Sequence, residues 1–248
     1  MTFAPATGVN PHLTPALSSR EERVVSASEP GEVGDVPDFA SHASFVYPGS
    51  IMSGSIPAKL ALDRRTALPG DYAFLLAEHP RPTWEGHPNN GQWCQFWLAR
   101  HKMFREFGEG LIDACEKLAA AQVDPKGFHE WFMPRASFFL GELDTHHKVE
   151  EYHYFPLLSQ ADPRMEKGVA LLEGDHEVIH DLLRGAYDTI IALDAAIQEK
   201  PDDVMGLVPR MGVDLAALDK GLKRHLDDEE DLVVPLILDR SEAALGMH

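Results

Sequence analysis

From about residue 91 onward, apolar residues recur at intervals of three and four, the period of a helix with one buried face. The stretch QFWLARHKMFREFGEGLIDACEKLAAA shows this pattern clearly and is rich in strong helix formers. Asp124-Pro125 then reads as an N-cap followed by proline at the first helical position. It predicts a second helix running to about Phe155, with Pro134 placed to kink it or delay its start. Asp162-Pro163 repeats the start signal and predicts a third helix, to about residue 198. Lys200-Pro201-Asp202 opens a fourth, ending near Pro235, with Pro209 early enough to split it. No strand-like alternation competes with these segments. Each has roughly 30 residues, about 45 Å at ~1.5 Å rise per residue. The connections are short, so neighbours should be antiparallel. The predicted fold is all-α, an up-down-up-down four-helix bundle over residues 91–240.

Upstream the pattern fails. Residues 1–48 are rich in Pro, Ser, Gly, Ala and Glu without sustained periodicity, which predicts a disordered or loosely packed tail. Residues 49–90 carry more apolar residues between Gly and Pro punctuation. They predict an arm that packs on the bundle without a core of its own. His79, Trp84 and His87 lie there and read as structural or exposed. The whole N-terminal extension is thus expected to be long and mostly irregular.

Within the helical region one polar pattern occurs twice. HHKVEEYHYFPL (146–157) and HLDDEEDLVVPL (225–236) both fit His-x3-Glu-Glu-x4-Pro-Leu without a gap. A further histidine lies one helix-length upstream of each, His101 in the first half and His176 in the second. Residues four apart share a helix face, so His146 points with Glu150, His225 with Glu229, and His176 with His180. Placing such groups in an apolar core costs several kcal/mol unless something pairs with them, and a metal does so. Imidazole and carboxylate without thiolate suit iron, manganese or zinc. Seven ligands are too many for one tetrahedral zinc and suit two six-coordinate ions that share carboxylate bridges. Aligning His101 with His176 sets Arg105 opposite His180, so one ion would receive three histidines and the other two. The two-histidine ion would keep a position open for one small molecule. His147 should point about 100° away from His146, at the surface or in a supporting place. His153 shares the His146 face two turns on and reads as structural. His12, His42, His129 and His248 read as incidental. Glu150-x-x-His153 and Glu177-x-x-His180 also permit a ferritin-like arrangement, which leaves the other histidines without a purpose.

Composition narrows the class. A net charge of -18 argues against a nucleic-acid surface and reads as a solvated, acidic exterior. No apolar run approaches the ~20 residues needed to span a bilayer. The first residues lack the basic start and apolar stretch of a secretory signal, so the expectation is a cytoplasmic protein outside any membrane. The two cysteines, Cys94 and Cys115, support neither a disulfide framework nor a zinc site and read as free and buried. Cys94 would share a helix face with His101. No nucleophile elbow, P-loop or dinucleotide fingerprint is present.

The ordered set resembles the hemerythrin-like (HHE cation-binding) family, whose pattern is H…HxxxE…H…HxxxE. Here it reads His101, HHKVE ending at Glu150 with Phe155-Pro156 after it, DHEVIH with His176 and His180, and HLDDE ending at Glu229. The resemblance covers about residues 91–240. It implies two non-haem iron ions joined by an oxo or hydroxo bridge. It implies that His101 and His146 bind one iron and His176, His180 and His225 the other, with Glu150 and Glu229 bridging. Some members place the last carboxylate one residue later, where this chain has Glu230. The implied function is binding of O2, or of a related ligand such as nitric oxide or peroxide, for storage, delivery or sensing. A di-iron enzyme consuming peroxide or nitric oxide, and an iron-handling protein, use the same site. A protein partner for the N-terminal extension stays unspecified.

Overall fold

The computed structural model describes residues 57–199 and 203–247. The expected tail over 1–48, the first part of the arm and the Lys200-Pro201-Asp202 start signal lie outside the described residues. Four long helices carry the fold: α1 Gln92–Ala119, α2 Pro125–Val149, α4 Glu166–Glu199 and α5 Val204–Arg240. A π-helical turn, Glu150–Tyr154, joins α2 to the short α3, Phe155–Ala161, and α6 (Glu242–Leu245) closes the chain. Helix α1 packs on α2 and α5, and α4 packs on α2 and α5, giving a four-membered ring. This is the all-α four-helix bundle that the apolar periodicity predicts.

The helix starts follow from their caps. The Asp124 side chain accepts the backbone N–H groups of Lys126 (3.1 Å) and Gly127 (3.0 Å), and Pro125 occupies the first turn. Asp162 accepts the Arg164 N–H at 3.0 Å and opens a 3-10 turn, Pro163–Met165, that leads into α4. The prolines behave differently from expectation. Helix α2 runs unbroken past Pro134, and α5 runs past both Pro209 and Pro235 to Arg240. The second helical run changes to π geometry at Glu150 and continues as helix to Ala161, beyond the expected end near Phe155.

The core has two apolar layers. One contains Phe104, Phe132, Phe139, Leu183 and Leu215; the other contains Trp97, Phe155, Leu172, Leu232 and Leu236. On α1, α4 and α5 a short polar step separates the two, and on α2 it follows the first layer at the helix's C-terminal end. Helices α4 and α5 approach closely at the second layer, where a Cβ on Gly168 would lie 2.5 Å from Leu232 Cδ2. The described part of the arm, 57–90, lies along the bundle. Leu62 joins the first layer, and Leu75 and Trp84 join the second. Trp84 Nε1–H donates to the His79 carbonyl at 2.7 Å. No described helix is long and apolar enough to cross a membrane.

Candidate metal centre

The polar step between the layers is built by helix register. On α1, buried positions alternate by four and three through Trp97, His101, Phe104, Gly108 and Leu111. On α4 the same seam runs through Leu172, His176, Ile179 and Leu183, and on α5 through Leu218, Leu222, His225, Glu229 and Leu232. Histidine and glutamate thus occupy positions that apolar residues fill one turn above and below. Helix α2 buries adjacent pairs at seven-residue intervals, Phe132-Met133, Phe139-Leu140 and His146-His147. It therefore feeds both sides of the bundle interior.

Two groups of ligand-type side chains result. His101, His146, Glu150 and Glu229 form one; His147, His176 and His225 form the other, with the ligand atoms inside each group within 4.8 Å of one another. His101 Nε2 lies 3.2 Å from His146 Nε2, and His176 Nε2 lies 3.1 Å from His225 Nε2. The glutamates link the groups. Glu150 Oε1 is 3.0 Å from His146 Nε2, and its Oε2 is 3.7 Å from His176 Nε2. Glu229 Oε2 is 3.5 Å from His101 Nε2 and 3.6 Å from His225 Nε2. All seven side chains are buried.

The outward nitrogens of three rings meet carboxylates. His101 Nδ1 faces Glu230 Oε1 at 3.1 Å, His176 Nδ1 faces Glu151 Oε1 at 2.8 Å, and His225 Nδ1 faces Asp175 Oδ2 at 3.4 Å. Such partners fix which nitrogen carries the proton and leave Nε2 free to ligate. The inward atoms lack partners. Both His147 nitrogens, Glu150 Oε2 and both Glu229 oxygens are buried without a hydrogen bond among the described residues. Unpaired buried groups of this kind cost several kcal/mol, and a pair of divalent cations would satisfy them together. The donor set, histidine nitrogen and carboxylate oxygen, therefore fits a metal pair.

Electrostatics agree with that fit. Burial pushes the His101 ring down to about 4 against the pull of Glu230, and it pushes His146, His147 and His176 well below their ordinary value. These rings are neutral near pH 7, the form that ligates a metal. Burial raises the Glu150 carboxyl to about 8, with the Trp97 indole N–H (2.9 Å to Oε1) opposing it. Glu229 is also raised well above its ordinary value, first by burial and then by the adjacent Glu150. Glu230 is the contrast: burial would raise it, yet His101 and Arg105 hold it at about 2.

The structure brings together His101, His146, Glu150, His176, His225 and Glu229 from the sequence-derived set. It does not bring in His180. That ring is partly exposed, lies off the α4 seam between Ile179 and Leu183, and has Nδ1 3.8 Å from Asp144 Oδ1. His147 is fully buried, stacked on His176 at 4.0 Å and edge-on to His180 at 5.9 Å between ring centroids. Of the surface or supporting placement expected for His147, the surface placement is corrected: the paired burial on α2 turns the ring inward. Glu230 stands outside the group, held by Arg81 and Arg105 at 2.8 Å each. His153 and Glu177 are exposed, so the ferritin-like pairs are not assembled. Cys94 is a buried free thiol, pushed up to about 12 first by burial.

A family model described as the hemerythrin HHE cation binding domain matches residues 95–237. No curated protein and no solved structure matches the chain.

Proposed function

The chain belongs to the hemerythrin HHE cation-binding family, and from that premise we propose that its bundle holds two iron ions and binds O2, or a related small ligand, at an open position on one of them. His101 and His146 would hold one ion and His147, His176 and His225 the other, with Glu150 and Glu229 available to both. Iron held there would supply the reversible redox chemistry that binding of such a ligand requires. The side with two histidines would be the one left to the ligand. Trp97, 4.1 Å from the His101 ring, and Phe104, 5.0 Å from the His146 ring, wall that side and exclude water. The Trp97 N–H holds Glu150 in its spanning orientation. The neutral imidazoles need lose no proton when metal enters, whereas Glu150 and Glu229 release theirs.

The observation that carries this reading is that each of the two glutamates lies within 4 Å of a histidine Nε2 from both groups. The test is to load the purified chain with ferrous iron without oxygen, count iron per chain and record the near-ultraviolet spectrum as O2 is admitted and removed. Two irons and a band that comes and goes with O2 are expected. A chain that takes only zinc, or shows no O2-dependent band, ends the reading. Steady-state consumption of peroxide or nitric oxide would instead make the same centre that of an enzyme.

A further inference from the structure

Two arginines upstream of the matched family region reach the carboxylates behind the metal-facing histidines. Arg65, with a side chain 1% exposed, donates from Nη1 to Asp175 Oδ1 at 2.9 Å and from Nη2 to Asp175 Oδ2. Its Nε donates to Asp228, which Arg224 also holds, and Nη1 donates to the Leu60 carbonyl. Asp175 Oδ2 is the oxygen that faces His225 Nδ1. Arg81 makes the matching contact on the other side. It donates from Nη1 to Glu230 Oε2 at 2.8 Å, from Nε to Asp231 at 2.7 Å and from Nη2 to the Asp227 carbonyl at 2.8 Å. Glu230 faces His101 Nδ1. His225 and His101, one from each group, are therefore backed by carboxylates that arginines of the arm hold, and Arg105 of α1 also donates to Glu230 Oε1 at 2.8 Å.

The carboxylate behind a metal-bound histidine fixes the ring and raises its basicity, and a cation on that carboxylate draws the basicity back. We propose that Arg65 and Arg81 are positioning residues of the metal centre. Through Asp175 and Glu230 they orient His225 and His101 and set how tightly, and at what potential, the two ions are held. The arm is then part of the metal centre. The proposal rests on the iron-pair reading above.

The test uses the full chain. Wild type, Arg81→Gln, Arg81→Lys and Arg65→Gln are loaded with ferrous iron, titrated against a graded iron chelator, and their reduction potentials measured; circular dichroism reports the fold of each. Arg81 is 42% exposed at its side chain, so its removal should leave the bundle folded. Arg81→Gln is expected to leave Glu230 and His101 less firmly oriented, which releases one of the two ions about 10–100-fold more readily despite the ring's higher basicity, and that basicity is expected to lower the potential. Arg81→Lys, which keeps the charge beside Glu230, is expected to recover most of the potential. Arg65→Gln is expected to loosen the other ion. If Arg81→Gln folds and keeps both wild-type iron retention and wild-type potential, the proposal is overturned and the arginines merely pin the arm. That result holds whether or not Arg65→Gln folds. A wild-type chain that takes up no iron pair overturns the iron reading itself and is recognised before any variant is made.

Discussion

At the scale of the residue, His147 and Glu229 stand out among the described residues, each with both side-chain polar atoms buried and unpartnered, and the histidine is the one less expected. Its ring is fully buried, and neither nitrogen has a hydrogen bond among the described residues. A buried imidazole left this way is costly unless a ligand engages it. His147→Ala is therefore expected to reduce bound iron from two ions to one, counted by elemental analysis, while His180→Ala keeps two. The opposite result would return His180 to the ligand set. The repeated His-x3-Glu spacing made His146, Glu150, His225 and Glu229 legible, because four residues on a helix is a direct geometric statement. His147 was less so, since its neighbour His146 claims the inward direction when one face is assumed. The signal was nonetheless in the chain: Phe132-Met133 and Phe139-Leu140 repeat at seven residues and lead to His146-His147, marking a helix buried over a wide stripe. On α4, Ile179 and Leu183 define a seam that passes over His180. Histidine spacing alone suggests the i, i+4 pair, whereas the apolar seam decides which member faces inward.

At the scale of the element, two adjacent glutamates serve the centre twice, through a π-turn at Glu150-Glu151 and on unbroken α-helix at Glu229-Glu230. On a regular helix they would point about 100° apart. Here Glu150 reaches between the two histidine groups while Glu151 accepts from His176 Nδ1. The turn closes where the Phe155 N–H donates to the Glu150 carbonyl, and it seats Phe155 on His176 at 5.4 Å. π-turns inside helices often mark functional sites. Inserting one alanine after the exposed Tyr152 would advance the register beyond the turn and swing Phe155 and Leu158 about 100° out of the core. That insertion is expected to abolish stoichiometric iron and to lower the melting temperature by several degrees, on the order of 1–3 kcal/mol. Tyr152→Ala, which keeps the register, is expected to do neither. Helix starts were legible because Asp-Pro caps act locally. The effects of Pro134, Pro209 and Pro235 were not, because each proline's lost hydrogen bond is weighed against packing along the whole helix. The same Glu-Glu-x4-Pro-Leu string gives a π-turn in one half and unbroken α-helix in the other. Proline alone does not account for that difference.

At the scale of the whole molecule, a polar layer lies between two apolar ones, and its protons couple metal to stability. The sign follows from the shifts. Burial raises Glu150 to about 8 against an ordinary 4.5, and Glu229 is also raised well above that ordinary value, so between 4.5 and about 8 the folded chain binds more protons than the unfolded one. Stability of the metal-free chain then falls as pH rises. The depressed histidines act in the opposite sense, because unfolded rings take protons that the folded rings refuse; these unfolded rings are half protonated at 6.5, so the effect fades only above about pH 7.5. Above that pH the carboxyls dominate among these groups. After chelation the chain is expected to lose about 1.4 kcal/mol per pH unit for each carboxyl that stays protonated when folded. With iron bound both glutamates are already ionised, so that slope should vanish. The loaded chain should also melt higher, by about 3–4 kcal/mol of linkage when free iron exceeds its dissociation constant 100- to 1,000-fold. Melting curves at pH 7.5, 7.8 and 8.1, with and without iron, measure both effects. A metal-free melting temperature that is flat or rises across that window would mean that Glu150 and Glu229 are not held protonated. The two carboxylates would then have lost the burial that aims them at a shared pair of ions.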